Sequence, residues 1–258
     1  MAKKYCTAAD GIKIAYDISG SGPALILLHG GGGLYDRSMW HKIGYIKRLA
    51  DHFTVINIDI RGNGESDHPT TIYAYDIHRI NADMLTVADD CNIESFSVWG
   101  FSFGGNIARC LAARSDRIEK AVIGGVAFGP SIPESLTWVD DYIAKWEPLV
   151  EAIKQGDLTP DDLNKKDRKV YKHSRVEVWL PTYQAMRSWP SISAEDLLCP
   201  ALVYVGTKNA NAYKLLKSDE AAIRATGVKL TIFNGLTHLQ EFNQIDTVLP
   251  IVSNFLLE

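Results

Sequence analysis

Ser95-Phe96-Ser97-Val98-Trp99-Gly100-Phe101-Ser102-Phe103-Gly104-Gly105 runs from a short apolar segment through a glycine-flanked serine toward helix-forming sequence. Ser95–Trp99 reads as a buried strand and Asn106–Arg114 as the helix behind it. A serine at so abrupt a strand-to-helix turn adopts a strained backbone conformation, and its neighbours two positions away on either side must be small. Gly100 and Gly104 meet that demand, with Gly105 beyond them. The turn lifts the hydroxyl above the sheet, and the amides at the start of the helix face the negative charge that develops there. The strand and helix on either side make Ser102 a candidate nucleophile, which a bare G-x-S-x-G match would not.

A serine attacking a carbonyl needs two backbone N–H groups for the resulting oxyanion. The residue after the nucleophile, Phe103, supplies one. The other is expected from His29-Gly30-Gly31-Gly32-Gly33, which follows the strand Ala24–Leu28. Gly31 is the first choice for that donor and Gly32, the next, is expected at the substrate. A phosphate-cradling loop is the competing reading, but the stretch lacks the Lys-Ser/Thr of a P-loop and the spacing of a dinucleotide fingerprint. His29 reads as a histidine that stabilises the turn. The candidate base is His238, in Gly235-Leu236-Thr237-His238 beyond the strand Lys229–Phe233. It comes last in chain order, as this arrangement requires. His41, His52 and His78 fall in early helical segments, His68 follows a turn, and His173 lies far from any strand end.

Outward from these motifs, short β-rich runs alternate with helical stretches, the pattern of a mostly parallel sheet covered on both faces. Ile12–Ile18 reads as an outer antiparallel strand, followed by Ala24–Leu28, Phe53–Ile60, Ser95–Trp99, Lys120–Val126, Ala201–Val205 and Lys229–Phe233. Tyr73–Asp90 and Thr247–Leu257 read as helices. From 128 to 199 the strand rhythm stops in favour of helix formers and prolines, which predicts a helical cap inserted into a core made of 1–127 and 200–258. Trp138, Tyr142 and Trp146 recur every four residues there, as do Trp179 and Tyr183, with Met186 three further on. Trp138, Tyr142, Trp179, Tyr183 and Met186 either line an apolar pocket above Ser102 or only fix the cap to the core.

The chain has 258 residues, 46% of them hydrophobic, and a formal net charge of -4. That composition supports a sizeable core and argues against nucleic acid as the main partner. The lysines at the N-terminus are not followed by the apolar run of a signal peptide. The longest clearly apolar run, Ala24–Leu28, is too short to span a bilayer. The four cysteines are scattered without metal-binding spacing, so no metal is expected, and reduced thiols in a cytoplasmic protein are. Nothing in the sequence sets an oligomeric state.

Taken with Asp59-Ile60-Arg61-Gly62-Asn63-Gly64-Glu65-Ser66, which looks like the D-x-R-G-x-G-x-S turn of one large family, these motifs resemble the α/β-hydrolase superfamily along essentially the whole chain. The resemblance implies an α/β fold with a mostly parallel sheet of the eight-stranded type, helices on both faces and an inserted helical cap. Among its members the chain looks like the capped, cofactor-independent esterases, lactonases and carbon–carbon bond hydrolases. The implied activity is hydrolysis of a small ester or lactone with an apolar portion through an acyl-enzyme on Ser102, with no cofactor. Epoxide and haloalkane chemistry is disfavoured, because those relatives use a carboxylate where Ser102 stands.

One position departs from the family pattern. The triad acid usually follows the penultimate strand in a G-x-x-D pattern, and here Gly206-Thr207-Lys208-Asn209 ends on an amide. Three readings stay open: an introduced inactivating change, a natural slow enzyme or hydrolase-fold binding protein, or a carboxylate from elsewhere. Asp219 is the nearest that follows.

Overall fold

The computed structural model describes residues 3–258; residues 1 and 2, which the sequence reading counts with the core, lie outside the described residues. Strands β1 (Lys4–Thr7), β2 (Lys13–Ser19), β3 (Ala24–Leu28), β4 (Thr54–Ile58), β5 (Phe96–Phe101), β6 (Ile118–Gly124), β7 (Ala201–Gly206) and β8 (Lys229–Phe233) form one sheet. Its order is β1-β2-β4-β3-β5-β6-β7-β8. The strands from β4 to β8 pair in parallel, and β1 and β2 add an antiparallel edge. β1 is not among the strands expected from sequence. Only Cys6 of its residues is buried, so it carries almost no apolar signal.

The parallel strands are apolar because both faces are covered. In β3, Leu25 and Leu27 enter one core cluster while Ile26 and Leu28 enter the other, the alternation that a pleated strand imposes. All four are fully buried, and each such side chain contributes about 1.5–3 kcal/mol. One face is covered by α1 (Ser38–Ile43), α2 (Tyr45–Leu49) and the C-terminal helix, and the other by α3 (Ile77–Asp90) and α4 (Phe103–Ala112). The helix expected over Tyr73–Asp90 is divided. A 3-10 turn occupies Ile72–Tyr75, and the Asp76 side chain then accepts from His78 N–H to start α3.

Between β6 and β7 lie α5 (Thr137–Gln155), α6 (Lys165–His173) and α7 (Val176–Met186). Gly129 and Ile192 exchange backbone hydrogen bonds of 2.7 and 3.2 Å, closing the neck of this insertion. Trp146, Val150, Tyr171, Val176 and Leu180 form its own small core. The opposite side of α7, with Val178, Trp179, Ala185 and Met186, packs into the main core instead. The insertion is therefore anchored along α7. After β7 follow α8 (Ala210–Ser218) and α9 (Glu220–Ala225), and after β8 come α10 (Gln240–Asn243) and α11 (Ile245–Leu257).

Arg61 ties part of this framework together. Its Nε and Nη2 each donate to Asp83 of α3 at 2.6 Å, and Nη1 donates to Asp10 at 2.8 Å and to the Ala74 carbonyl at 2.7 Å. Burial opposes the Arg61 charge, but the hydrogen bonds to Asp83 and Asp10 outweigh it and raise its pKa. Burial pushes Asp83 up to about 6, so the pair is charged at neutral pH. Removing one member strands a buried charge. Arg61→Ala should therefore cost about 3–5 kcal/mol in urea denaturation. A loss under about 1 kcal/mol, the value of an exposed pair, would show that Arg61 holds nothing.

Candidate active site

Ser102 stands between β5 and α4 at φ 57° and ψ −113°, one of the non-glycine residues with positive φ. The surroundings leave no room for side chains beside it. A Cβ on Gly100 would fall 2.0 Å from the Gly104 carbonyl oxygen, and one on Gly104 would fall 2.2 Å from that of Leu28. The expected helix start at Asn106 moves back to Phe103, so Ser102 caps α4 directly. As the first residue of that helix, Phe103 has no acceptor one turn back for its N–H. The β3 loop reaches the same place: a Cβ on Gly31 would lie 2.8 Å from Phe103 Cβ and 2.2 Å from the Trp179 ring. Gly31 and Phe103 are thus adjacent at the turn, and Gly32 borders the same cavity.

His29 is fully buried and plays the local part expected of it. Its Nε2 accepts from Ile60 N–H at 3.1 Å, so Nδ1 carries the proton and donates to the Gly30 carbonyl. Burial pushes its pKa down and keeps the ring neutral.

His238 follows β8 and brings Nε2 to 2.9 Å from Ser102 Oγ. Its ring stacks on Phe101 with centroids 5.0 Å apart, which fixes the imidazole plane. The opposite nitrogen, Nδ1, lies 3.1 Å from Oε2 of Glu241, a fully buried carboxylate on α10. Gly206 N–H donates to the other oxygen, Oε1. Asp219 is not the missing acid: it lies exposed where α8 meets α9, and Ser218 Oγ donates to its carboxylate. The carboxylate at the base is Glu241, three positions beyond His238. The available signal was the i, i+3 spacing of His238 and Glu241, which places both on one side of a helical turn.

Asn209 does occupy the expected place after β7, with Nδ2 3.0 Å from His238 Nδ1. Both groups there are nitrogens, so the tautomer depends on where the amide hydrogens go. Gly125 O at 3.0 Å and Glu241 Oε2 at 3.1 Å accept them. His238 Nδ1–H then points to Glu241, and Nε2 is left as the acceptor for Ser102 Oγ–H. Asn209 therefore holds the carboxylate in position and does not replace it.

A cavity of about 480 Å³ opens above Ser102 and His238. Trp138, Trp179, Tyr183 and Met186 border it, with Trp138 half-exposed at the mouth and Trp179 buried against Phe103. Tyr142 does not border it. Its ring packs edge-on behind Tyr183 with centroids 5.2 Å apart, which corrects its expected place at the substrate. Phe101, Asn106 and Ser131 also line the cavity and were not singled out from sequence. Among the described residues no three His, Cys, Asp or Glu side chains are placed to hold a metal ion, and no helix is long and apolar enough to cross a membrane.

Residues 23–153, half of the chain, match the alpha/beta hydrolase fold family, and the chain belongs to that family. It is 36% identical over 121 residues to an uncharacterized protein of Mycobacterium tuberculosis, covering 45% of this chain and 33% of that protein. It is 31% identical over 140 residues to a soluble epoxide hydrolase of Corynebacterium sp., covering 52% of this chain and 47% of the other. The matches span between a third and a half of those relatives' lengths. In fold, it is similar to the enol-lactonase of Burkholderia xenovorans, with a TM-score of 0.73 at 24% identity over 99% of this chain and 100% of that one. The family match and the solved structure agree on the fold.

Proposed function

We propose that the chain hydrolyses a carboxylic ester or lactone through an acyl-enzyme on Ser102. The observation that carries this reading is Ser102 Oγ at 2.9 Å from His238 Nε2 on a backbone with φ 57°. Ser102 attacks the carbonyl while His238 Nε2 takes its proton, and Glu241 stabilises the imidazolium through Nδ1–H. Phe103 and Gly31 N–H groups receive the oxyanion. His238 returns the proton to the departing alkoxide, then activates the water that frees Ser102. Neither a metal nor an organic cofactor takes part in these steps. A hydroxyl nucleophile suits acyl transfer and not epoxide opening: a serine that opened an epoxide would be left as an ether, which water does not cleave.

A fluorophosphonate probe, which reacts with activated serines, should label Ser102 in the folded protein. A panel of neutral aryl esters and lactones should then reveal turnover. An unlabelled Ser102 with the fold intact would point instead to a binding protein. The cavity supports an apolar acyl portion. Tyr183→Ala is expected to shift preference toward longer acyl chains by about tenfold, the scale of one or two buried methylenes. Tyr142→Ala, one layer back, should leave that ranking unchanged and lower stability by about 1–3 kcal/mol. The reverse pattern, measured by kcat/KM and urea melts, would displace Tyr183 from the acyl site.

A further inference from the structure

Arg109 of α4 is a fully buried cation with no carboxylate beside it among the described residues. The other two buried arginines are neutralised. Arg37 meets Asp17, Asp59 and Glu65, and Arg61 meets Asp10 and Asp83. Arg109 meets neutral groups: Nη1 donates to the Ala127 carbonyl, Nη2 donates to Asn106 Oδ1 at 2.9 Å and to Ser131 Oγ at 3.2 Å, and the Cys110 thiol, which burial keeps protonated, lies beside it. Burial pushes the Arg109 pKa down, yet a guanidinium keeps its proton at neutral pH. A buried charge without a counter-ion is costly, and an anion brought close to it would relieve that cost.

All three acceptor residues line the cavity over Ser102, and two of them, Asn106 and Ser131, accept through side chains. A guanidinium offers donors alone, which fixes both partners' orientation. Asn106 must turn Oδ1 toward Arg109 and its NH2 away from it. Ser131 Oγ accepts from Arg109 and keeps its own hydrogen to donate. Both side chains are over nine-tenths buried, at 7% and 5% exposure, so these donors have the cavity and not bulk water before them. Ser102, Asn106 and Arg109 follow at i, i+4 and i+7, on one face of α4. No Lys, Arg, Asp or Glu lines the cavity among the described residues, so no charged side chain at its surface competes for an anion.

We propose that Asn106 and Ser131, backed by the charge of Arg109, form a subsite for a carboxylate on the acyl portion of the substrate, about one to two helical turns, roughly 5–10 Å, from the carbonyl attacked by Ser102. This inference rests on the acyl-transfer reading of Ser102. The substrate class it names is the monoester of an aliphatic dicarboxylic acid, or a lactone bearing a carboxylate.

Two esters of equal chain length separate the terms: p-nitrophenyl hexanoate and mono-p-nitrophenyl adipate. The wild-type protein should prefer the adipate ester in kcat/KM. Arg109→Met should lower the adipate-to-hexanoate ratio of kcat/KM roughly tenfold or more, as expected for a charge acting across one layer at an effective dielectric near 20. Ser131→Ala should lower the same ratio and serves if Arg109→Met fails to fold, while Arg114→Met, an exposed change in the turn just after the same helix, should not alter it. Equal use of both esters by the wild type, or an unchanged ratio in the variants that fold, overturns the subsite. If no form hydrolyses either ester, the acyl-transfer reading fails and titration calorimetry with adipate decides the subsite alone. Binding to wild type that is lost in Ser131→Ala sustains it, and no binding overturns it.

Discussion

Glu241→Gln is expected to lower turnover on an activated ester about ten-thousandfold, the loss seen when a triad carboxylate becomes an amide. That corresponds to about 5.5 kcal/mol of barrier at 1.36 kcal/mol per decade. The loss should fall on kcat, because Glu241 lies beneath His238 and outside the cavity lining. The sequence alone would make Asn209→Asp the gain-of-function change, and the geometry reverses that expectation. Asn209 Nδ2 is 3.1 Å from Glu241 Oε2, and two carboxylates so close cannot both ionise. One would keep a proton, and turnover should change no more than a few-fold. In the Glu241→Gln background the same Asn209→Asp change should recover much of the loss, since that side chain lies 3.0 Å from His238 Nδ1. Asp219→Asn should have no effect. Turnover within tenfold of wild type for Glu241→Gln would remove Glu241 from the acid role.

Ser102 substitutions should separate activity from stability. Ser102→Ala and Ser102→Gly should each lose roughly six orders of magnitude in kcat, leaving what oxyanion stabilisation and binding supply. Their stabilities should differ. At φ 57° and ψ −113° any side chain is strained, by about 1–3 kcal/mol, and alanine keeps that strain. Glycine adopts positive φ without it, so Ser102→Gly should be more stable than wild type by about 1 kcal/mol despite its greater unfolded-state freedom. Urea midpoints for the two variants test this directly. A glycine variant less stable than the alanine one would mean the turn stores no strain at Ser102.

The elements legible in the sequence were those whose physics is local. The turn at Ser102 demands small neighbours within two positions, and the buried strands carry unbroken apolar runs, so both are written in short windows. Glu241 was not legible, because its role depends on a four-residue helix turning it under the sheet edge toward Gly206 N–H. The periodic aromatics of α5 show the same limit. Trp138, Tyr142 and Trp146 share one helical stripe, but the helix crosses three environments. Trp138 reaches the cavity mouth, Tyr142 lies behind Tyr183, and Trp146 enters the small core of the insertion. Spacing reports a common face and not how far along the neighbouring layers that face extends. Arg109 was hidden for a related reason, since a charge in the middle of a sequence helix looks like any solvated residue until its surroundings prove to be closed.

His238 and Glu241 lie within one turn of chain, so the base and acid of the proposed mechanism travel together as a single cassette. In a layout that draws the acid from the loop after β7, that loop cannot drift without breaking the proton relay. Here the segment that carries Asn211, Ala212 and Leu215 to the cavity wall bears no part of the charge balance. Substitutions at these three positions, beyond Asn209, can reshape what the cavity admits while the contacts of Glu241 stay in place. The wall built by Asn211, Ala212 and Leu215 is thus open to change without moving His238 or Glu241, whereas Leu239, Phe242 and Asn243 line the same cavity beside them and are not.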